Sequence, residues 1–177
     1  MNDLPRVLIS EAKINQRLQD LATEISFDYR GKEITTIAIL KGSFIFFADL
    51  IRLIDIPMSC EFIGVSSYSG KTASSGEVKV TLDLTEPLQG KHVIIFEDII
   101  DTGLTMQYLI NNLRSRKPAS LKICALLVKP DALKTDVHVD YTGFRLGKEF
   151  VVGYGLDYGE RYRQLPYIGV IENEKKN

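Results

Sequence analysis

Near the N-terminus, apolar residues fall at Ile14, Leu18, Leu21, Ala22 and Ile25. That spacing is one face of a helix, with Ser10 placed to cap its first turn and Arg30-Gly31 to end it. Ile34 to Leu40 is an apolar-rich run too short for a helix, and reads as a buried strand. Lys41-Gly42-Ser43 makes a turn into a largely buried helix, Phe44 to Ile54, stopped before Pro57. Cys60 to Ser67 reads as a second strand. Residues 69–76 are small and polar, so a mobile loop is expected there. Val78 to Leu84 then alternates apolar and polar positions, as a half-exposed strand does, and Pro87 and Gly90 mark a turn.

The second half repeats the alternation of strand and helix. His92 to Ile100 is apolar and rich in β-forming residues. Met106, Leu109, Ile110 and Leu113 return to helical spacing. Arg114, Arg116 and Lys117 stand at that helix's C-terminal end, where its dipole favours cations, and Pro118 ends it. Leu121 to Val128 and Phe150 to Tyr154 are two further strands, and the charged tail from Glu172 to Asn177 is expected to fray. Alternating elements of this kind imply an α/β fold with a mostly parallel, twisted sheet flanked by helices.

Composition narrows the function classes. The chain has 177 residues, 45% hydrophobic and 25% charged, which suits one domain with a sizeable core. A net charge of −1 provides no global attraction to nucleic acid or to a membrane surface, so an anionic ligand must be held locally. The first residues lack the basic and apolar regions of a signal peptide, and no apolar run approaches a membrane span. Cys60 and Cys124 lack metal-ligand spacing and are expected to be buried, reduced thiols, in keeping with a cytoplasmic protein. His92 and His138 have no partners at suggestive spacing and read as structural.

The candidate chemistry sits at the end of the His92–Ile100 strand. Glu97, Asp98 and Asp101 place three carboxylates within five residues. Strict alternation sets Glu97 with Ile99 on one face and Asp98 with Ile100 on the other. These acids can hold Mg²⁺, directly or through water, or accept hydrogen bonds from sugar hydroxyls; two acids alone can equally be a strand end emerging into solvent. Asp101-Thr102-Gly103-Leu104-Thr105 then opens a helix, whose free backbone N–H groups suit a phosphate. Gly103 allows close approach, and Thr102 and Thr105 add hydroxyl donors, although Asp101 could instead merely cap the helix.

Val93 to Thr105 resembles the phosphoribosyl pyrophosphate (PRPP) signature of type I phosphoribosyltransferases, and the Ile-Ile between its acids resembles the hypoxanthine-guanine branch. Four other segments agree in order and spacing, so the resemblance covers nearly the whole chain. It implies a single phosphoribosyltransferase domain over residues 1–177. The core is expected at about 32–145, and a small hood would be formed by the C-terminal segment with N-terminal contributions.

The family's site residues carry over as follows. Glu97 and Asp98 would hold ribose hydroxyls and metal, Asp101 would be the general base, and Thr102, Gly103, Leu104 and Thr105 would cradle the 5′-phosphate. Lys41 and Gly42, after a Leu40–Lys41 peptide that can be cis in the family, would bind pyrophosphate together with Arg163. Ser67-Tyr68 resembles the start of a catalytic lid. Lys129 would donate to the purine 6-oxo group, Phe150 would stack on the ring and the Val151 backbone would read its edge. Asp157 would ligate a second Mg²⁺. The implied reaction joins a 6-oxopurine to PRPP, giving a nucleoside 5′-monophosphate and pyrophosphate. A homodimer or homotetramer with small-molecule partners is expected, without nucleic acid or membrane.

Two other classes are distinguishable. A nucleotide-sensing RNA- or DNA-binding regulator on the same fold would carry a basic face or an added segment, and the near-neutral chain shows neither. An aspartic protease would need a second Asp-Thr-Gly in a β-rich lobe; the sequence has one, followed by a helix.

Overall fold

The computed structural model describes residues 4–67 and 78–171. Tyr68, the 69–76 loop and the 172–177 tail lie outside them. In chain order the elements begin with β1 (Arg6–Ile9), α1 (Glu11–Asp28), β2 (Ile34–Leu40), α2 (Phe44–Ile51), β3 (Met58–Ser67) and β4 (Val78–Leu82). They continue with β5 (His92–Ile100), α3 (Leu104–Ser115), β6 (Ser120–Val128), β7 (Tyr141–Arg145), β8 (Val151–Val152) and β9 (Ile168–Val170). Six strands form one sheet in the order β4-β3-β2-β5-β6-β7, parallel except for β4 at one edge. A second, antiparallel sheet has the order β1-β9-β8.

Alternation along the central strands divides the core between the two faces of the large sheet. On β5, Ile94 and Phe96 join Ile14, Leu18, Phe46 and Leu50 from α1 and α2. Val93 and Ile95 join Leu109 and Leu113 from α3 on the other face. The small sheet belongs to the α1–α2 side, where Val151, Ile168 and Val170 extend the same cluster. The five stripe residues of α1 are its buried ones, and the Ser10 hydroxyl accepts a hydrogen bond from the Lys13 N–H at 3.4 Å. Arg17, on the same helix, reaches edge strand β7 and donates to the Thr142 and Gly143 carbonyls. It thereby satisfies backbone acceptors that an edge strand leaves open.

Where elements differ from their sequence pattern, a local competitor is visible. The helix expected to reach Ile54 stops at Ile51, because the Arg52 side chain takes the Ala48 carbonyl that its own backbone N–H would need for another turn. β4 stops at Leu82 because the Asp83 carboxylate takes the Leu84 N–H at 2.8 Å and also binds Arg116. The strand expected from Phe150 to Tyr154 contracts to Val151–Val152, as Gly153 and Tyr154 turn to φ +95° and +50°. Cys124 is buried as expected, but Cys60 is exposed. It lies on the part of β3 before Gly64, where β4 has not yet joined the ladder. His92 bonds Ser120 through Nδ1 at 2.8 Å and sets its ring edge to Tyr29. Among the described residues no helix is long and apolar enough to cross a membrane.

Candidate active site

The C-terminal ends of the parallel strands open into a cavity of about 270 Å³ lined by Glu97, Asp98, Asp101, Thr102, Gly103 and Thr105, with Val65 and Ser66 from β3. Crevices at this end of a parallel sheet are where α/β folds place ligands. A larger cleft, about 480 Å³, lies between α1 and the segment after α2, lined by Gln19, Phe27 and Leu53, but it holds no carboxylate cluster. The chemistry, and not the size, selects the smaller one.

Strict alternation would separate Glu97 from Asp98, yet both line this cavity. The alternation slips at the acids: Ile99 packs with the α1–α2 cluster and Ile100 with the α3 cluster, the reverse of the phase set by Val93 to Phe96. The ladder to β6 runs from Glu97↔Ala125 to Ile99↔Leu127 and leaves Asp98 unpaired in register. Asp98 is only 9% exposed, and its Oδ1 accepts the Ile99 N–H at 2.9 Å. Glu97 Oε2 is buried with no hydrogen-bond partner among the described residues. Burial, followed by the neighbouring charge of Asp98, raises the Glu97 carboxyl well above the ordinary carboxylate range. Burial raises Asp98 too, opposed by its hydrogen bonds and by the Arg163 charge.

Two glycines let other segments close on these acids. A Cβ at Gly42 would overlap the Asp98 carboxylate, and a Cβ at Gly155 would overlap the Gly42 carbonyl. The loop after β2 therefore lies between Asp98 and the turn of the C-terminal segment. The Leu40–Lys41 peptide in that loop is cis. Arg163 donates to the Gly155 carbonyl at 2.7 Å and pairs with Asp157 at 2.8 Å. Lys41, whose side chain is 70% exposed, meets Glu160 at 3.3 Å.

At the other end of the cavity, Gly103 is the N-cap of α3 at φ +79°, and the Thr102 hydroxyl accepts the Leu104 N–H at 3.5 Å. Asp101 is thus not the cap, and the first-turn N–H groups after Leu104 are left for an anion. Leu104 points outward. Lys129, its side chain 11% exposed, lies 3.6 Å from Asp101. Val151 is buried, so its side chain cannot reach a ligand and its backbone remains. Phe150 is exposed and sets its ring edge to Tyr158, with centroids 5.6 Å apart. Ser67 ends β3.

Tyr158, Glu160 and Thr135 escape a reading of the sequence. Thr135 Oγ1 is buried, without a hydrogen-bond partner among the described residues, and stands 2.5 Å from where a Gly103 Cβ would be. It follows a turn that has no motif of its own. Glu160 had one available signal, its place after Gly159 in a two-residue turn.

Among the described residues no group of three or more His, Cys, Asp or Glu side chains is arranged to hold a metal. The residues nevertheless fit Mg²⁺. Glu97 and Asp98 are adjacent oxygen donors, and Glu97 Oε2 has no hydrogen-bond partner among the described residues. Mg²⁺ typically takes one or two carboxylates and completes its shell with water and phosphate oxygens. Asp157 is less free, since Oδ1 pairs with Arg163 and Oδ2 accepts the Glu160 N–H.

Comparison with known proteins agrees with this geometry. Residues 9–159 match the model of the phosphoribosyl transferase domain. The chain is 47% identical over 171 residues to the hypoxanthine-guanine phosphoribosyltransferase of Bacillus subtilis (strain 168), covering 97% of this chain and 95% of that protein. A crystal structure of a hypoxanthine phosphoribosyltransferase from Staphylococcus aureus superposes with a TM-score of 0.93 at 45% identity, over 99% of this chain and 96% of that one. A hypoxanthine-guanine phosphoribosyltransferase from Bacillus anthracis gives 0.91 at 44% identity, over 96% and 100%. With a strand-end acid cluster, a helix start capped by glycine and these matches along almost its full length, the chain belongs to the hypoxanthine-guanine phosphoribosyltransferase family.

Proposed function

We propose that this protein is a purine-salvage enzyme that transfers the 5-phosphoribosyl group of PRPP to N9 of hypoxanthine and/or guanine, forming IMP or GMP and pyrophosphate. The observation that carries the reading is the single cavity joining Glu97, Asp98 and Asp101 to the open N-terminus of α3, with Lys129 beside Asp101. The N–H groups and hydroxyls of Thr102 to Thr105 bind the 5′-phosphate, which sets the sugar over the acids. Glu97 and Asp98 accept from the ribose hydroxyls. Asp101 takes the N7 proton of the incoming base.

Lys129 donates to the 6-oxo group, a contact that an exocyclic amine cannot make. Phe150 stacks on the purine, and the Val151 backbone meets its edge. Lys41, Gly42 and Arg163 receive the departing pyrophosphate, where negative charge accumulates. Glu97 and Asp98 would hold one Mg²⁺ and Asp157 a second. When bound, the metal neutralises phosphate charge on the donor and the leaving group. A lid beginning at Ser67-Tyr68 excludes water from the reacting centre. The reading includes a cytoplasmic homodimer or homotetramer acting on small molecules, without nucleic acid or membrane.

A PRPP-dependent assay with hypoxanthine, guanine, xanthine and adenine tests this. Turnover of 6-oxopurines that requires both PRPP and Mg²⁺ is expected. Robust turnover of adenine with none of hypoxanthine would overturn the role of Lys129.

A further inference from the structure

Glu160 belongs to none of the roles above, yet it touches both cations assigned to pyrophosphate. Its carboxylate lies 3.3 Å from Lys41 Nζ and 3.6 Å from Arg163 Nη2. Lys41 follows β2, whereas Glu160 and Arg163 belong to the C-terminal segment, so the contact bridges two parts of the fold. The backbone aims the side chain there. Tyr158 and Arg161 pair across a two-residue turn whose central residues, Gly159 and Glu160, have φ +59° and +63°. Two left-handed central residues define a turn that favours Asn-Gly and Gly-Gly. A glutamate in the second position is held against that preference by the Asp157 carboxylate, which accepts its N–H at 2.9 Å.

We propose that Glu160 is a placeholder anion: without ligand its carboxylate bridges Lys41 and Arg163, and a pyrophosphate-bearing ligand binds by displacing it. The proposal rests on the assignment of Lys41 and Arg163 to pyrophosphate. Glu160 and Lys41 are largely exposed, so the competition is mild and displacement is easy.

Calorimetric titration of the full-length protein with magnesium pyrophosphate, at low and at physiological salt, tests this. Exposed ion pairs of this kind change an equilibrium by up to about fivefold, so Glu160→Gln is expected to tighten binding about two- to fivefold, more at low salt. Glu160→Asp keeps the charge but is one methylene too short to span both cations, and is expected to behave like Glu160→Gln. Glu86→Gln, the same charge change on a distant exposed side chain, controls for net charge. Unchanged or weaker binding by Glu160→Gln, with Lys41→Gln and Arg163→Gln weakened, overturns the placeholder and leaves the cation assignment standing. Wild-type-like binding by Glu160→Asp, with tighter binding by Glu160→Gln, overturns the contact mechanism. Unchanged binding by both cation variants overturns the assignment and the proposal together.

Discussion

Replacing Glu97 with Gln should stabilise the ligand-free protein while impairing it as an enzyme. Among the described residues Glu97 Oε2 is buried without a hydrogen-bond partner, directly beside another buried carboxylate. An unsatisfied buried acceptor costs about 1–3 kcal/mol. The amide is neutral, keeps the shape and can donate to Asp98. A gain of about 1–2 kcal/mol follows, or roughly 2–8 °C in Tm at the 2–4 °C per kcal/mol typical of this chain length. The pH dependence has a definite sign. Because burial raises the carboxyl in the folded state, the folded protein keeps a proton that the unfolded chain has already lost. Wild-type stability therefore falls as pH rises from the ordinary carboxylate range to the raised folded value. Glu97→Gln lacks that contribution, so its advantage should be small at acid pH and should grow toward neutrality. Urea unfolding of both proteins over a pH series, without PRPP or metal, measures the gap. A variant less stable than wild type at neutral pH, or a gap that does not grow with pH, refutes the reasoning. The same variant should bind PRPP more weakly with Mg²⁺ present.

Asp101→Ala should reduce kcat by about 10²–10⁴, the usual contribution of a general base, while the Kd for PRPP stays within a few-fold; near-normal turnover would remove the base assignment. Gly103→Ala forces a side chain into a left-handed conformation and against Thr135 Oγ1. It should cost about 1–3 kcal/mol in urea unfolding and weaken PRPP binding, with partial recovery of stability in the Gly103→Ala/Thr135→Ala double variant. Ellman's reagent should titrate one thiol per native chain, Cys60, and a second only after unfolding. Burial raises the Cys124 thiol and suppresses its reactive thiolate, so two native thiols would contradict the packing.

Local chemistry was legible in the chain wherever one segment carries its own periodicity. The α1 stripe, the β2 and β5 runs and the start of α3 after Gly103 each follow from neighbours in sequence, because helix and strand periods act over a few residues. Resemblance to a family supplied roles for Lys41, Lys129, Asp157 and Arg163 that no lone lysine, aspartate or arginine announces. Tertiary structure decided what depends on distant partners. β1 and β9 are four and three residues long, too short to show a period, and exist because the two ends of the chain pair with each other. Glu97 and Asp98 share a cavity because the alternation of β5 slips beside β6, which strict period two does not foresee. Glu160 faces Lys41 only once the C-terminal segment packs on the loop after β2, through Gly42 and Gly155. The sequence determined which groups could act, since that is the chemistry of single residues and short spacings. The fold decided which charges meet and which are left buried without a partner, since Coulomb and desolvation energies depend on distance through space.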